Sequence, residues 1–159
     1  YGPRQALSNP YTGVLAIFAS RLLNDRAVKI FEDGGQRRDF VSVYDIAQAC
    51  VLAHEKRDAV GQVFNVGSGQ DYTIRDIAAH VARALGKDHL EPEVTGKYRV
   101  GDVRHCFADI GAARRKLGYR PRISLDHGLV ELGAWLEGQV ALDHVDKASA
   151  ELAARGLTV

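Results

Sequence analysis

The 159-residue sequence contains no methionine, one tryptophan, four prolines and only two cysteines. Cys50 and Cys106 lie far apart. They fit neither the disulfide framework of a small secreted domain nor a C-x-x-C metal spacing, and predict a reducing, cytoplasmic setting. Long apolar runs are also missing. The longest, Gly13 to Ser20 with Leu22 and Leu23, is too short to span a bilayer, and the start lacks the charged-then-apolar pattern of a leader. A soluble protein without a membrane partner is therefore expected. No block of one charge exists either: 21 Lys and Arg oppose 20 Asp and Glu, for a net charge of +1. This argues against a nucleic-acid partner and leaves room for a small anion. With 46% apolar and 26% charged residues, disordered and collagen-like classes are excluded. The missing methionine and the opening YGPRQ, a turn that ordinarily follows another element, lead to the expectation of a piece of a longer protein.

What is present is an alternation of short apolar runs and helical patterns. Tyr1 to Tyr11 holds Gly2, Pro3, Ser8, Asn9 and Pro10 and reads as a loop. Val14, Ile17, Phe18 and Leu22 recur at helical spacing and predict a helix from about Thr12 to Asn24. Val28 to Phe31 predicts a strand halted at Asp33-Gly34-Gly35, and Asp39 to Val43 a second strand. Asp45 is expected to cap a helix running to about Lys56, with Ile46, Ala49, Cys50 and Ala53 on one face. Val63 to Val66 predicts a third strand, closed by a turn containing Gly67 and Gly69, with Asn65 buried. Thr73 and Asp76 predict a capping box on a helix that stops at Gly86.

Leu90 to Val94 is expected to be extended, Lys97 to Arg104 irregular and Cys106 to Ala108 briefly extended. Asp109 reads as the cap of a helix ending at Leu117-Gly118. Ser124 reads as the cap of another, whose Leu129, Leu132, Trp135 and Leu136 face inward, with Trp135 in the core. Residues 139–159 read as a weakly attached helical tail behind a main unit of 1–138. The pattern predicts an α/β fold with few, short strands whose edges need cover from elsewhere.

No complete catalytic set is encoded. There is no G-x-G-x-x-G at a strand-to-helix turn, no P-loop, no H-E-x-x-H and no G-x-S-x-G. The six histidines are scattered, and no metal site is expected. NVGSG, 65–69, is too short for a dinucleotide fingerprint and reads as a strand-end turn. The informative side chains are arginines. Arg37 and Arg38 sit where a turn enters a strand, and Arg99 lies in R-V-G-D three residues before Asp102, followed by Arg104 and His105. A guanidinium fork suits diphosphate oxygens. The competing reading is of loop arginines paired with Asp39 and Asp102.

The ordered set YGPRQ, NPYTGV, FEDGGQRRDFVSVYDIAQAC, VFNVGSG with its Thr-headed helix, YRVGDVRHCFAD and LGY-P resembles the C-terminal portion of extended short-chain dehydrogenase/reductases. More narrowly, it resembles the NAD-dependent nucleotide-sugar epimerase/dehydratases over about 1–138. The likeness is greatest to 4-epimerases of UDP- or dTDP-hexoses of the dTDP-rhamnose type. It implies a small mixed α/β substrate-binding lobe with the last elements of a Rossmann-like domain, whose main part is absent. It also implies NAD as the parent's cofactor and a UDP- or dTDP-sugar as ligand. The missing N-terminal half would be the partner carrying the NAD fingerprint and Tyr-x-x-x-Lys. The implied reaction is removal of hydride from the sugar C4 and its return to the opposite face.

By position, Arg38 and Arg99 match the arginines that grip the diphosphate, Asp102 the acid on the ribose, Phe31 the residue beside the base, and Pro3 a proline near the nicotinamide. Arg104 and His105 match either nucleotide contacts or a salt bridge holding the loop, and Tyr11 a staple at the helix start. The resemblance implies a chain without turnover on its own. The same grip would serve a 4,6-dehydratase, a decarboxylase or a reductase, and a non-catalytic nucleotide-binding or structural module is the remaining alternative.

Overall fold

The computed structural model describes residues 1–6, 13–136, 138–139 and 145–158. The expected helix start at Thr12 and the residues Ser8, Asn9, Pro10 and Tyr11 lie outside the described residues. Helix α1, Val14–Leu23, forms where the periodicity predicts it, burying Phe18 and Leu22 of the expected face together with Leu15, while Val14 and Ile17 are half-buried. Strand β1, Lys29–Ile30, is followed by the Asp33 turn and then by β2, Arg37–Arg38. The second strand thus lies earlier than the pattern Asp39 to Val43 suggests.

The next helix also starts earlier than expected. α2, Val43–Glu55, is capped by Ser42, whose side chain accepts from Tyr44 N. Asp45 is not the cap. It is buried within the first turn, and its carboxylate accepts from Arg122 N at 2.9 Å and Ile123 N at 3.1 Å. The buried side of α2 carries Asp45 and Ala49, whereas Cys50 is exposed.

Residues 62–66 lie in no strand, because they pair with no neighbour among the described residues. Asn65 is exposed rather than buried. The pairing partner of β2 is instead β3, Tyr72–Thr73, which leads into α3, Ile74–Ala84, through the complete Thr73/Asp76 capping box. Strands β4, Glu93–Val94, and β5, His105–Cys106, follow. A wide π-helical turn over Ala113–Leu117 ends at Gly118 and has Ala112 at its N-cap with no side-chain cap bond, whereas the expected cap Asp109 accepts from Gly111 N at 2.8 Å in the turn ahead of it. α4, Leu125–Leu136, has Ser124 Oγ accepting from His127 N, and α5 covers Val145–Ala154.

The strands form two small sheets. β1 and β4 pair in parallel, Lys29 with Glu93 and Ile30 with Val94. β2 is central in the other, antiparallel to β3 and parallel to β5. The apolar faces of α1, α3 and α4 meet in one core with Phe18, Leu22, Ile77, Val81, Leu129 and Leu136 at its centre. Each such side chain contributes about 1.5–3 kcal/mol on burial. Trp135 packs against this core half-buried rather than within it. A second core joins Ala49 of α2 to Ile110, Leu117 and Tyr119. The architecture is the expected mixed α/β layering. No helix among the described residues is long and apolar enough to cross a membrane.

Candidate functional site

Alternation along β2 separates the two neighbouring arginines onto opposite faces. Arg37 turns to one face, where it pairs with Asp71 and stacks 5.6 Å from the Phe107 ring centroid. Arg38 turns to the other, into a cleft of about 450 Å³. That cleft is also lined by Phe31 beyond β1, by Arg99 and Asp102 from the β4–β5 connection, and by Lys29 of β1. Its floor includes Phe18 and Ile17 of α1, so the main core directly supports it.

The two cleft arginines are in different electrostatic states. Arg38 Nη1 donates to Arg104 O at 2.8 Å and Arg37 O at 3.0 Å, and Nη2 donates to Val103 O and to Asp102 Oδ1 at 3.3 Å. Its four terminal donors are thereby engaged, leaving Nε–H. Its side chain is 24% exposed. The Arg99 guanidinium instead lies 5.5 Å over the Phe31 ring, a cation–π contact. Among the described residues no carboxylate pairs with it. A charged fork on a cleft wall without a counter-ion is suited to an incoming anion.

Arg104 and His105 stand apart from this cleft. Arg104 bonds Glu32 and both oxygens of Asp33, closing the β1–β2 turn. Its hydrogen bond, followed by that of Gly35 N–H, holds the Asp33 carboxyl down to about 2. His105 Nδ1 accepts from Arg37 N at 3.2 Å within the sheet. Pro3 lines a neighbouring cavity of about 500 Å³ with Tyr1 and Arg4. The two cavities share Gly13, Val14, Asp39 and Phe40 as a common wall.

Of the acids offered as simple partners for the arginines, Asp102 does pair with Arg38, but Asp39 does not. Asp39 accepts from Ser68 N at 2.9 Å and Ser68 Oγ at 2.6 Å. That close approach requires Gly67, where an added Cβ would stand 2.1 Å from Asp39 Oδ2, and the following turn uses Gly69 at φ +74°. The glycine-rich segment is thus a turn folded around a carboxylate, and its Ser68 donors are taken by Asp39 rather than left for a phosphate.

Lys29 and Gln36 are the lining residues that sequence reasoning passed over. Lys29 could have been found from its two-residue offset to Phe31, which places both on one face of an extended chain. Gln36 is buried, its Nε2 donating to Phe31 O at 2.9 Å, and so steadies the strand end that carries the ring. Among the described residues no group of three His, Cys, Asp or Glu side chains could hold a metal ion.

Known proteins share sequence and fold with this chain. Residues 1–67 match the model of the NAD dependent epimerase/dehydratase family. The chain is 39% identical over 136 residues to a dTDP-L-rhamnose 4-epimerase of Burkholderia thailandensis, covering 86% of this chain and 37% of that protein. A crystal structure of UDP-glucose 4-epimerase with UDP-glucose from Thermotoga maritima superposes with a TM-score of 0.76 at 39% identity, over 86% of this chain and 43% of that one. The Thermus thermophilus UDP-glucose 4-epimerase in complex with NAD superposes with a TM-score of 0.73 at 32% identity, over 88% and 44%. The chain spans less than half the length of each. NAD is the cofactor in this family. From the ordered motifs to the superposed backbone, the chain belongs to the NAD dependent epimerase/dehydratase family.

Proposed function

We propose that the chain is the nucleotide-gripping lobe of a nucleotide-sugar 4-epimerase, and that the cleft under Arg38 and Arg99 receives the nucleoside diphosphate of a UDP- or dTDP-hexose. The observation that carries this reading is convergence. Arg38, Arg99, Asp102 and Phe31 come from three separate stretches of chain and line one cleft. Arg99 supplies the free fork for phosphate oxygens, and Arg38 adds its positive field and its Nε–H while its other donors hold 102–104 in place. Phe31 offers a ring face to the base, and Asp102 has acceptor capacity for the ribose hydroxyls. Arg104 takes the structural role in this reading, bracing the β1–β2 turn that delivers Phe31.

The 159 residues do not by themselves fit NAD. The sequence holds neither G-x-G-x-x-G nor Tyr-x-x-x-Lys. The donors at the head of α3 are taken by the capping box, whose Asp76 carboxylate opposes a pyrophosphate there. Pro3 would contribute only part of a cavity wall facing a nicotinamide held by other residues. The chain alone is expected to bind without turnover.

Isothermal calorimetry with UDP, dTDP and uridine tests the assignment. A charge-assisted bond contributes about 1.5–3 kcal/mol, so Arg99→Ala is expected to weaken UDP about 10- to 150-fold while leaving the weak binding of uridine unchanged. Unchanged UDP affinity in both Arg38→Ala and Arg99→Ala would reject the reading.

A further inference from the structure

The β4–β5 connection that carries Arg99 is long, irregular and exposed, yet its middle is fixed. Its start is held by Glu32 N donating to Lys97 O at 2.7 Å, and its end by the Arg38 bonds to the 103 and 104 carbonyls. Between these, Val100 N donates to Leu157 O at 3.1 Å, and Arg99 forms an antiparallel bridge with Thr158. Leu157 is aimed there by the end of α5. Gly156 N bonds Ala153 O at 3.0 Å and Leu157 N bonds Leu152 O at 2.9 Å, with Gly156 at φ +66°. This paired closure turns the chain sharply back on its helix.

The other end of α5 is anchored as well. Asp146 Oδ1 accepts from Lys29 Nζ at 2.8 Å and Arg21 Nη1 at 3.2 Å, and Arg26 stands 3.7 Å from Oδ2. Three cations from the end of α1, the following turn and β1 therefore meet one carboxylate on the first turn of α5. Arg21 is a buried residue, so this contact reaches past the surface. Lys29 lines the cleft.

We propose that the segment Val145–Thr158 is a brace for the anion-binding arm, with Asp146 as the positioning residue that fixes Arg99 from a distance. The inference rests on the reading of the cleft as a nucleotide site. The carboxylate docks the head of α5 against the β1 wall. Along the helix the chain advances about 1.5 Å per residue, and the turn at Gly156 presents Leu157 O to Val100 N. The helix thus converts an ion cluster on one wall into a fixed backbone position on the other. The Arg99 fork is then held over Phe31 before ligand arrives, and less ordering entropy is lost on binding.

The test uses the full chain with Asp146→Asn and Asp146→Glu, each with Arg99 intact and with Arg99→Ala. Two quantities are read: UDP affinity by calorimetry, and exchange of the Val100 amide by NMR. Asp146→Asn is expected to speed Val100 exchange and weaken UDP about tenfold when Arg99 is present. In the Arg99→Ala chain it should change affinity by less than about twofold, because a positioning residue acts only through the group it positions. Asp146→Glu should recover most of both effects.

Unchanged Val100 exchange in Asp146→Asn overturns the brace. So does an equal affinity loss in both backgrounds, and so does tighter UDP binding, which would mean that the carboxylate merely competes for Lys29. If the unaltered chain fails to bind UDP, the nucleotide reading falls, and the exchange measurement still decides whether α5 holds the Arg99 arm.

Discussion

Replacing Arg38 with lysine separates its two duties, holding the loop and supplying charge. The guanidinium spans three backbone carbonyls, those of 37, 103 and 104, and the Asp102 carboxylate, through two nitrogens. Lysine keeps the charge but carries its donors on a single atom. It cannot reach carbonyls on both β2 and the facing connection at once. If one carbonyl bond survives, two are lost. Because the side chain is 24% exposed, the freed carbonyls find water, and each loss is placed at the ordinary net value of about 1 kcal/mol. The sum, about 2 kcal/mol, corresponds to a fall in Tm of about 4–8 °C for a chain of this size.

Scanning calorimetry reads the melting temperature and isothermal titration with UDP the affinity. Since charge and Arg99 both remain, the affinity loss in Arg38→Lys is expected to stay under about tenfold. An unchanged Tm together with an affinity loss as large as that of Arg99→Ala would refute the argument. It would mean that the Arg38 donors serve the ligand and leave the loop to hold itself.

The remaining predictions concern the frame around the cleft. Tyr119 is fully buried, its hydroxyl donates to Gly67 O at 2.8 Å, and burial pushes its ionisation up to about 12. Tyr119→Phe leaves that carbonyl unpaired in the interior and is expected to cost about 1–3 kcal/mol. Urea unfolding checks it, and a loss under about 0.5 kcal/mol contradicts the bond's role. The Asp33 carboxyl is held to about 2 against an ordinary 3.8 by Arg104. Its contribution to stability is therefore full above the ordinary value and fades as pH falls from there toward 2. In Arg104→Ala the NMR titration of Asp33 should move up toward 3.8, and an unshifted titration would remove Arg104 as the cause.

Local features of the fold were legible because their causes are local. The Thr73/Asp76 capping box closes over three residues. The α1 helix is set by periodicity, and the turn before β2 is marked by its own glycines and by Asp33, whose Oδ1 accepts from Gly35 N at 2.8 Å. The misplaced elements share one physical reason. Asp39 to Val43 looks like a strand by composition, but Ser42 captures Tyr44 N and begins a helix there, while Asp39 is drawn away by Ser68. Asp45 looks like a cap until a segment from residues 122–123 supplies two backbone donors to it. Val63 to Val66 has strand composition, but a strand is defined by a neighbour, and none pairs with it among the described residues.

The sequence by itself determined the α/β character, the Thr73/Asp76 capping box, the stop at Gly118 and the family, since such caps and ordered motifs are written in adjacent residues. Only the tertiary structure decided which of Arg37, Arg38, Arg99 and Arg104 is left without a carboxylate partner among the described residues. Arg37 is spent on Asp71, Arg38 on the connection after Asp102, Arg104 on Glu32 and Asp33, and Arg99 rests on Phe31 without a carboxylate among the described residues. Each of those choices joins residues far apart in the chain. A guanidinium carries the same charge wherever it stands, so its partners, and the function they leave it, are fixed by where the backbone brings it.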